Sequence, residues 1–519
     1  MKFYKNSRGL LAFLLLIFLA VSTWGQQPLD PSPGPSQQAP AQPQTAPGPD
    51  GNKPSAANPS VETTISSQEA DQLFRSIDNI LKFASQDTAL PIRKAVKRRL
   101  SSRDEVTSYL EKHMAEDEDA QRLRRSELVL KKFGLLPRDF DLQKFLVALL
   151  REQVAGYYDP KTETVNLLNW LDIEQQRPVL AHELTHALQD QSFGLEKWSK
   201  AGVSDLALKK KDPTPEDIQN DELQTARQAV VEGQAMAVLI DYMLAPSGQS
   251  MLDSPQLVEA LKAGMLTGTA DSIEFHKAPI FLREMLTFPY RYGLDFVATV
   301  MRKEGRERAF AGVFKNPPRT SRQIMEPDTY LSGEVIEPMK VPEFSHLTRD
   351  YDKFDVGSMG EFDVALLVDE YAGVQLSQKV FPHWRGGYYF AAKPKHGSPS
   401  PLAILYVSRW SSPESASGFA RIYAQSLKKR YHSIRLVSKS PKPNPNPDTA
   451  EGEGKTEGEQ QEAAAQDFSG QRDWRTEDGD VVIDTQGDMV FIAESFDPAT
   501  TQKLHDAIMT TAKPAAAGK

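Results

Sequence analysis

Residues 178–194, Pro178-Val179-Leu180-Ala181-His182-Glu183-Leu184-Thr185-His186-Ala187-Leu188-Gln189-Asp190-Gln191-Ser192-Phe193-Gly194, decide how this chain is read. Proline suits the first position of a helix and glycine the position just past its end, so the stretch predicts a helix from about Pro178 to Gly194. Leu180, Leu184 and Leu188 form an apolar stripe, and small Ala181 and Ala187 limit crowding. His182 and His186 are four residues apart, one turn along the same face, so both imidazoles can reach a single ion. Glu183 projects to the side, where it can act as a base toward water instead of binding the ion. A catalytic zinc takes three protein ligands and keeps one open position. The chain contains no cysteine, so the third ligand must be another histidine or a carboxylate.

Glu232 is the candidate. It sits at helical spacing among Ala229, Ala235, Met236 and Leu239, a setting in which a carboxylate is costly without a counter-charge such as Zn²⁺. Gly233 and the neighbouring alanines predict close approach of this helix to the histidine helix. Three other readings compete: Glu232 exposed or paired with Arg227, Asp190 as the ligand one turn beyond His186, and Glu222, which an expected helix start near Asp221 would favour anyway. Asp190 reads better as an acceptor behind a ligand or a solvated helix-end acid, because consecutive turns of one straight helix splay away from a single ion.

The rest of the chain sets the context. Its 519 residues exceed one typical core and predict two folded units with tails. A net charge of -9 without a basic stripe argues against nucleic acid as a partner. Lys2, Lys5 and Arg8 precede an unbroken apolar run from Leu10 to Val21, and Thr23 and Gly25 are small. This is the pattern of a signal peptide over residues 1–25, predicting export to the periplasm or outside the cell. The run is short for a membrane span of ~20 residues, so stable membrane insertion is expected only if the signal stays uncleaved. Residues 26–64, rich in Pro and Gln, read as a disordered spacer, and 441–466 as a disordered insertion.

Between these stretches the expected fold class is α+β: a mostly helical domain with a small sheet over 65–340, then a smaller α+β domain over 341–519. Helical patterns dominate 66–155, and between about Ser66 and Lys132 the sequence leaves open whether the helices are a prosegment, a lid or part of the catalytic domain. Residues Gly156–Leu168 read as a hairpin around Pro160, and helices are expected over 221–244 and on to about Arg308. Beyond Pro342 come short apolar runs, Val364–Val368 and Ala403–Val407, a helix-like Pro413–Lys428 and a strand-like Met489–Ala493. The aromatic stretch Trp384-Arg385-Gly386-Gly387-Tyr388-Tyr389-Phe390 reads as a packed hairpin more readily than as a binding surface.

His182-Glu183-Leu184-Thr185-His186, preceded by Gln153-Val154-Ala155-Gly156-Tyr157-Tyr158-Asp159-Pro160 and followed by Val231-Glu232-Gly233-Gln234-Ala235, resembles the zincin metallopeptidases of the gluzincin type, the peptidase-MA-like families. The similarity runs from about Phe133 to Leu331, including Pro289-Tyr290-Arg291-Tyr292-Gly293 and Pro317–Met325. It implies a zincin fold, one Zn²⁺ at His182, His186 and Glu232, and hydrolysis of peptide or protein substrates by metal-activated water with Glu183 as general base. Many gluzincins carry an acid four residues after the glutamate ligand. Met236 stands there in this chain, so a histidine must find its partner elsewhere.

Tyr290, Arg291 and Tyr292 are candidates for stabilising an oxyanion, with His276 a poorer one. The strand near Val165–Leu168 is expected to bind extended peptide by backbone pairing. Two further functions fit the same residues: a binding or scaffolding protein that keeps the metal without turnover, and a zinc hydrolase of non-peptide substrates.

Overall fold

The computed structural model describes residues 65–108, 118–153, 156–201, 210–267, 272–396, 401–439 and 468–510. The expected signal (1–25), spacer (26–64) and insertion (441–466) lie outside the described residues. Numbering helices of eight or more residues, the chain runs through α1 (Ser67–Thr88), β1 (Lys97–Ser101), α2 (Glu118–Phe133), α3 (Leu142–Gln153), β2 (Tyr157–Asp159) and β3 (Thr164–Leu168). It continues through α4 (Ile173–Phe193), α5 (Pro215–Leu244), α6 (Pro255–Thr267) and α7 (Ile280–Glu304). Then follow β4 (Tyr351–Ser358), α8 (Glu361–Ala372), β5 (Trp384–Pro394), β6 (Ala403–Trp410), α9 (Pro413–Arg430), β7 (Ile434–Lys439), β8 (Arg472–Thr476), β9 (Gly479–Gln486), β10 (Met489–Glu494) and α10 (Pro498–Met509). The fold class is α+β.

The first half is a helical assembly around α4. From Val179 to Gln189 every residue of α4 is buried, so the helix is enclosed on all sides and its hydrophobic periodicity is weak. It begins at Ile173, five residues before the expected start. Asp172 caps it, its side chain accepting from the Glu174 N–H, and Pro178 falls inside the helix. Gly194, with φ of 65°, closes it in the left-handed conformation that glycine adopts without strain. Helix α1 packs on α4 and buries Leu73, Ile77, Ile80 and Leu81 in the same cluster as Leu184 and Leu188, so residues 67–88 belong to the core of this half.

A three-stranded sheet lies beside α4 in the order β1-β3-β2. The hairpin β2–β3 is antiparallel, with Tyr158 opposite Val165, and β1 joins β3 in parallel. Strand β3 is therefore central: β1 pairs with all of Thr164–Leu168 and β2 with Thr164–Asn166, so of the stretch expected to pair with peptide Val165 and Asn166 are taken on both sides, and the Leu168 N–H donates to Gln176 Oε1. The strand β1, Lys-Arg-Arg-Leu-Ser, interrupts a region that reads as helical. Only its last residue is buried, so no alternation betrays it.

Helix α5 starts at Pro215, earlier than Asp221, with Thr214 and Asp217 forming a reciprocal cap. It is long and apolar enough to cross a membrane by length and composition, yet most of that apolar window is buried inside the protein, as a core helix requires. A Cβ placed on Gly233 would fall 2.2 Å from the Gly293 backbone in α7. Gly233 thus lies against α7, while α5 also packs on α4, as the sequence suggested.

The second half is a seven-stranded antiparallel sheet in the order β4-β5-β6-β10-β9-β8-β7. One face packs α8 and α9 through Leu366, Phe419 and Tyr423, and the other packs α10 and Phe344 through Tyr388, Phe390 and Leu405. Of the two short apolar runs, Val364–Val368 lies within helix α8 and Ala403–Val407 within strand β6. All five residues of each are buried, so neither run shows a period, and a short apolar run cannot be assigned by pattern alone. Ile218 of α5 inserts into the second face, and Phe133 of α2 packs edge-on against Tyr389 and Tyr406 on the first.

Candidate metal centre

His182 and His186 reach the centre from adjacent turns of α4, and Glu232 reaches it from α5 across the helix pair. All three are buried, Glu232 being 3% exposed. His182 Nε2 lies 3.2 Å and His186 Nε2 3.4 Å from Glu232 Oε2, and the two Nε2 atoms are 3.0 Å apart. Ligands at ~2.0–2.1 Å around a tetrahedral zinc would be roughly 3.3 Å from one another, so the triangle has the size such an ion needs. These residues form a group that could hold a metal ion.

Electrostatics agree with that fit. Burial pushes His182 down to about 4. Burial also opposes charge on His186 and Glu232, but their mutual attraction outweighs it, raising His186 to about 9 and lowering Glu232 to about 2. A carboxylate enclosed in apolar helices is thus held charged only by a positive partner. In the absence of an ion a proton on His186 meets that need, and a divalent cation would replace it. Arg227 does not: its guanidinium donates to the Ser199 and Ala201 carbonyls.

Glu183 is fully buried, and burial, aided by the charge on Glu232, raises its pKa to about 8. The Tyr158 N–H of β2 donates to its Oε2 at 2.7 Å, while Oε1 has no hydrogen-bond partner among the described residues. The outer edge of the small sheet is therefore tied to Glu183 by backbone. That contact was not legible in the sequence, because a main-chain donor leaves no residue-type signal.

The rivals lie elsewhere. Asp190 accepts from the Tyr158 hydroxyl at 2.9 Å and from the Leu195 N–H. Glu222, deep within α5 and not at its start, accepts from the N–H and hydroxyl of Ser321. Of the three oxyanion candidates only Tyr290 is near, its ring stacked 6.3 Å from that of His182. Burial and the charges of Glu232 and Glu183 keep its hydroxyl protonated far above neutrality. Arg291 pairs with Glu284, and Tyr292 packs on Phe288 and Phe362. His276 bonds within its own turn, to the Ser272 carbonyl. The partner that Met236 could not supply is Gln189, whose Oε1 lies 2.9 Å from His186 Nδ1. Its position three residues beyond His186, on the next turn, was the available signal.

A scan against protein-family models finds no match, and a search of curated proteins finds none. Among solved structures the chain is similar to the "Crystal structure of a putative hydrolase with a novel fold from Chloroflexus aurantiacus", at 16% identity, covering 52% of this chain and 92% of that chain with a TM-score of 0.34. So loose a superposition carries no inference about chemistry.

Proposed function

We propose that this protein is an exported zinc metallopeptidase of the gluzincin type, with His182, His186 and Glu232 as the ligands and Glu183 as the general base. The observation that carries the reading is the buried His-His-Glu triangle with a second, separately held glutamate adjacent to one ligand. A structural metal site needs no such base. The zincin-like motif around His182 supports peptide bonds as the target, and the N-terminal charge and hydropathy pattern supports export.

Zinc, when bound, supplies Lewis acidity, lowering the pKa of water toward ~7 and polarising the scissile carbonyl. The chain does the rest. Tyr158 fixes one oxygen of Glu183, leaving Oε1 to take a proton from the attacking water and pass it to the leaving amine. The Tyr290 hydroxyl, held protonated, donates to the oxygen on which charge develops. Burial of the whole group excludes competing water and strengthens each of these interactions.

The test is hydrolysis of unfolded casein by purified protein, with and without a chelator, followed by zinc restoration. Cleavage abolished by chelation and restored by Zn²⁺ is expected. Metal-replete protein that leaves casein intact would refute the peptidase reading.

A further inference from the structure

A chain of two glutamines runs behind His186. Gln189 Nε2 donates to the Val231 carbonyl at 3.1 Å and to Gln234 Oε1 at 2.8 Å, and Gln234 Nε2 donates to the carbonyls of Ala309 and Phe310 at 2.8 and 3.1 Å. Both amides are fully buried. The carbonyls of Ala309 and Phe310 belong to a π-helical turn, Arg308–Gly312, which follows α7. Turns of this kind recur at functional sites.

The orientation of each amide is dictated by its neighbours. A carbonyl only accepts, so the end of Gln234 that meets Ala309 and Phe310 must be its NH₂. Its oxygen then faces Gln189, which must present its own NH₂ to Gln234 and to the Val231 carbonyl. The oxygen of Gln189 is left facing His186 Nδ1, and an acceptor there requires Nδ1 to carry hydrogen. Backbone carbonyls more than a hundred residues along the chain thereby set the face of one imidazole. His182 has no such support: its Nδ1 is buried without a hydrogen-bond partner among the described residues.

We infer that Gln189 is a positioning residue, oriented by Gln234 and the Arg308–Gly312 turn, which keeps hydrogen on His186 Nδ1 so that Nε2 is the atom offered to the metal. The inference rests on the metal site proposed above. A neutral amide takes the place of the carboxylate common behind zinc-bound histidines, fixing the ring without adding negative charge.

Two measurements test it. The first is magic-angle-spinning NMR of ¹⁵N,¹³C-histidine-labelled protein, zinc-loaded and also metal-free at a pH above about 9, where the metal-free ring is neutral and carries one ring hydrogen, with His186 assigned by loss of its signals in His186→Gln. A protonated Nδ1 on His186 in both states is expected, and an unprotonated Nδ1 would overturn the inference. The second is competitive Zn²⁺ titration of Gln189→Met, which removes the acceptor, and Gln189→Glu, which retains one. The methionine variant should bind Zn²⁺ about 10–100-fold more weakly than wild type, and the glutamate variant, which keeps an acceptor toward Nδ1 but sets an oxygen against Gln234 Oε1 and the Val231 carbonyl, should recover only part of that loss. Equal affinity of both variants and wild type would overturn the inference even if the protein is a zinc enzyme. A protein that shows hydrogen on Nδ1 yet binds no zinc would instead refute the metal site and leave the relay standing.

Discussion

Glu183 and Glu232 are both buried glutamates near the same two imidazoles, yet their surroundings assign them opposite tasks. Glu232 is stabilised as a carboxylate by the histidines, whereas Glu183 is pushed toward the neutral form by burial and, among the described residues, holds a single backbone donor, so that a cation held by the neighbouring triangle would favour the carboxylate that a base must be. Substituting Glu183→Gln should therefore leave zinc content unchanged and lower turnover by about 10²–10⁴-fold, the usual contribution of a general base. Casein assays paired with metal analysis check this, and a variant that loses zinc and activity together would make Glu183 a ligand. Tyr290→Phe should lower kcat with little change in KM, as expected for a donor used mainly in the transition state. At this scale the sequence disclosed those side chains whose type and spacing carry chemistry. His182, Glu183 and His186 stand in one motif, and Glu232 stands out as an acid among alanines. Tyr158 acts through its backbone and Gln189 through a hydrogen bond, so neither has a residue type that announces its contact.

The elements that carry the site are held together by close backbone approach. Ala229 and Gly233 of α5 meet Gly293 of α7 so closely that a Cβ on either glycine would overlap backbone of the other helix. Gly233→Ala or Gly293→Ala must spread the helices or shift α5 along its axis. Overpacking of this kind costs roughly 1–3 kcal/mol, and because α5 also carries Glu232 the same change should weaken zinc binding. Thermal unfolding with zinc titration measures both effects. A variant as stable as wild type would show that the helix pair relaxes freely. Helix α4 was legible because its caps and histidine spacing are local features, although Asp172, and not Pro178, sets its start. By contrast, Val364–Val368 is buried on every side and β1 is exposed along most of its length. In neither is a hydrophobic face contrasted with a polar one, and that contrast is what a sequence pattern records.

Across the whole molecule the two halves share one hydrophobic cluster and a buried ionic junction. Arg322, in the short helix Ser321–Met325, contacts Glu326, Glu334 and Glu361, and Ser321 bridges Glu222 of α5 to the Phe362 N–H of α8. Burial raises Glu361 to about 8, helped by Glu326 and Glu222 and opposed by Arg322. Burial and Asp241 likewise raise Asp87, at the end of α1, to about 7 against the pull of Arg306. Both carboxyls bind protons more tightly folded than unfolded, where they titrate near ~4. At these two positions the unfolded chain holds fewer protons between roughly pH 4 and pH 7–8, so their contribution to stability falls as pH rises through that window, by at most about 1.4 kcal/mol per pH unit for each group. Glu361→Gln should flatten the upper part of the slope. Thermal midpoints of wild type and Glu361→Gln from pH 5 to pH 9 report it: the difference between the two should move against wild type as pH rises, and a difference that does not change with pH would show that Glu361 titrates alike folded and unfolded.

The metal itself is the shortest route to the central claim. Protein purified without added metal or chelator, quantified and analysed by inductively coupled plasma mass spectrometry, should contain close to one zinc per chain, and His186→Ala and Glu232→Ala, prepared identically, should contain almost none. Wild-type protein free of transition metal even after zinc is supplied, or variants that keep the wild-type content, would contradict it.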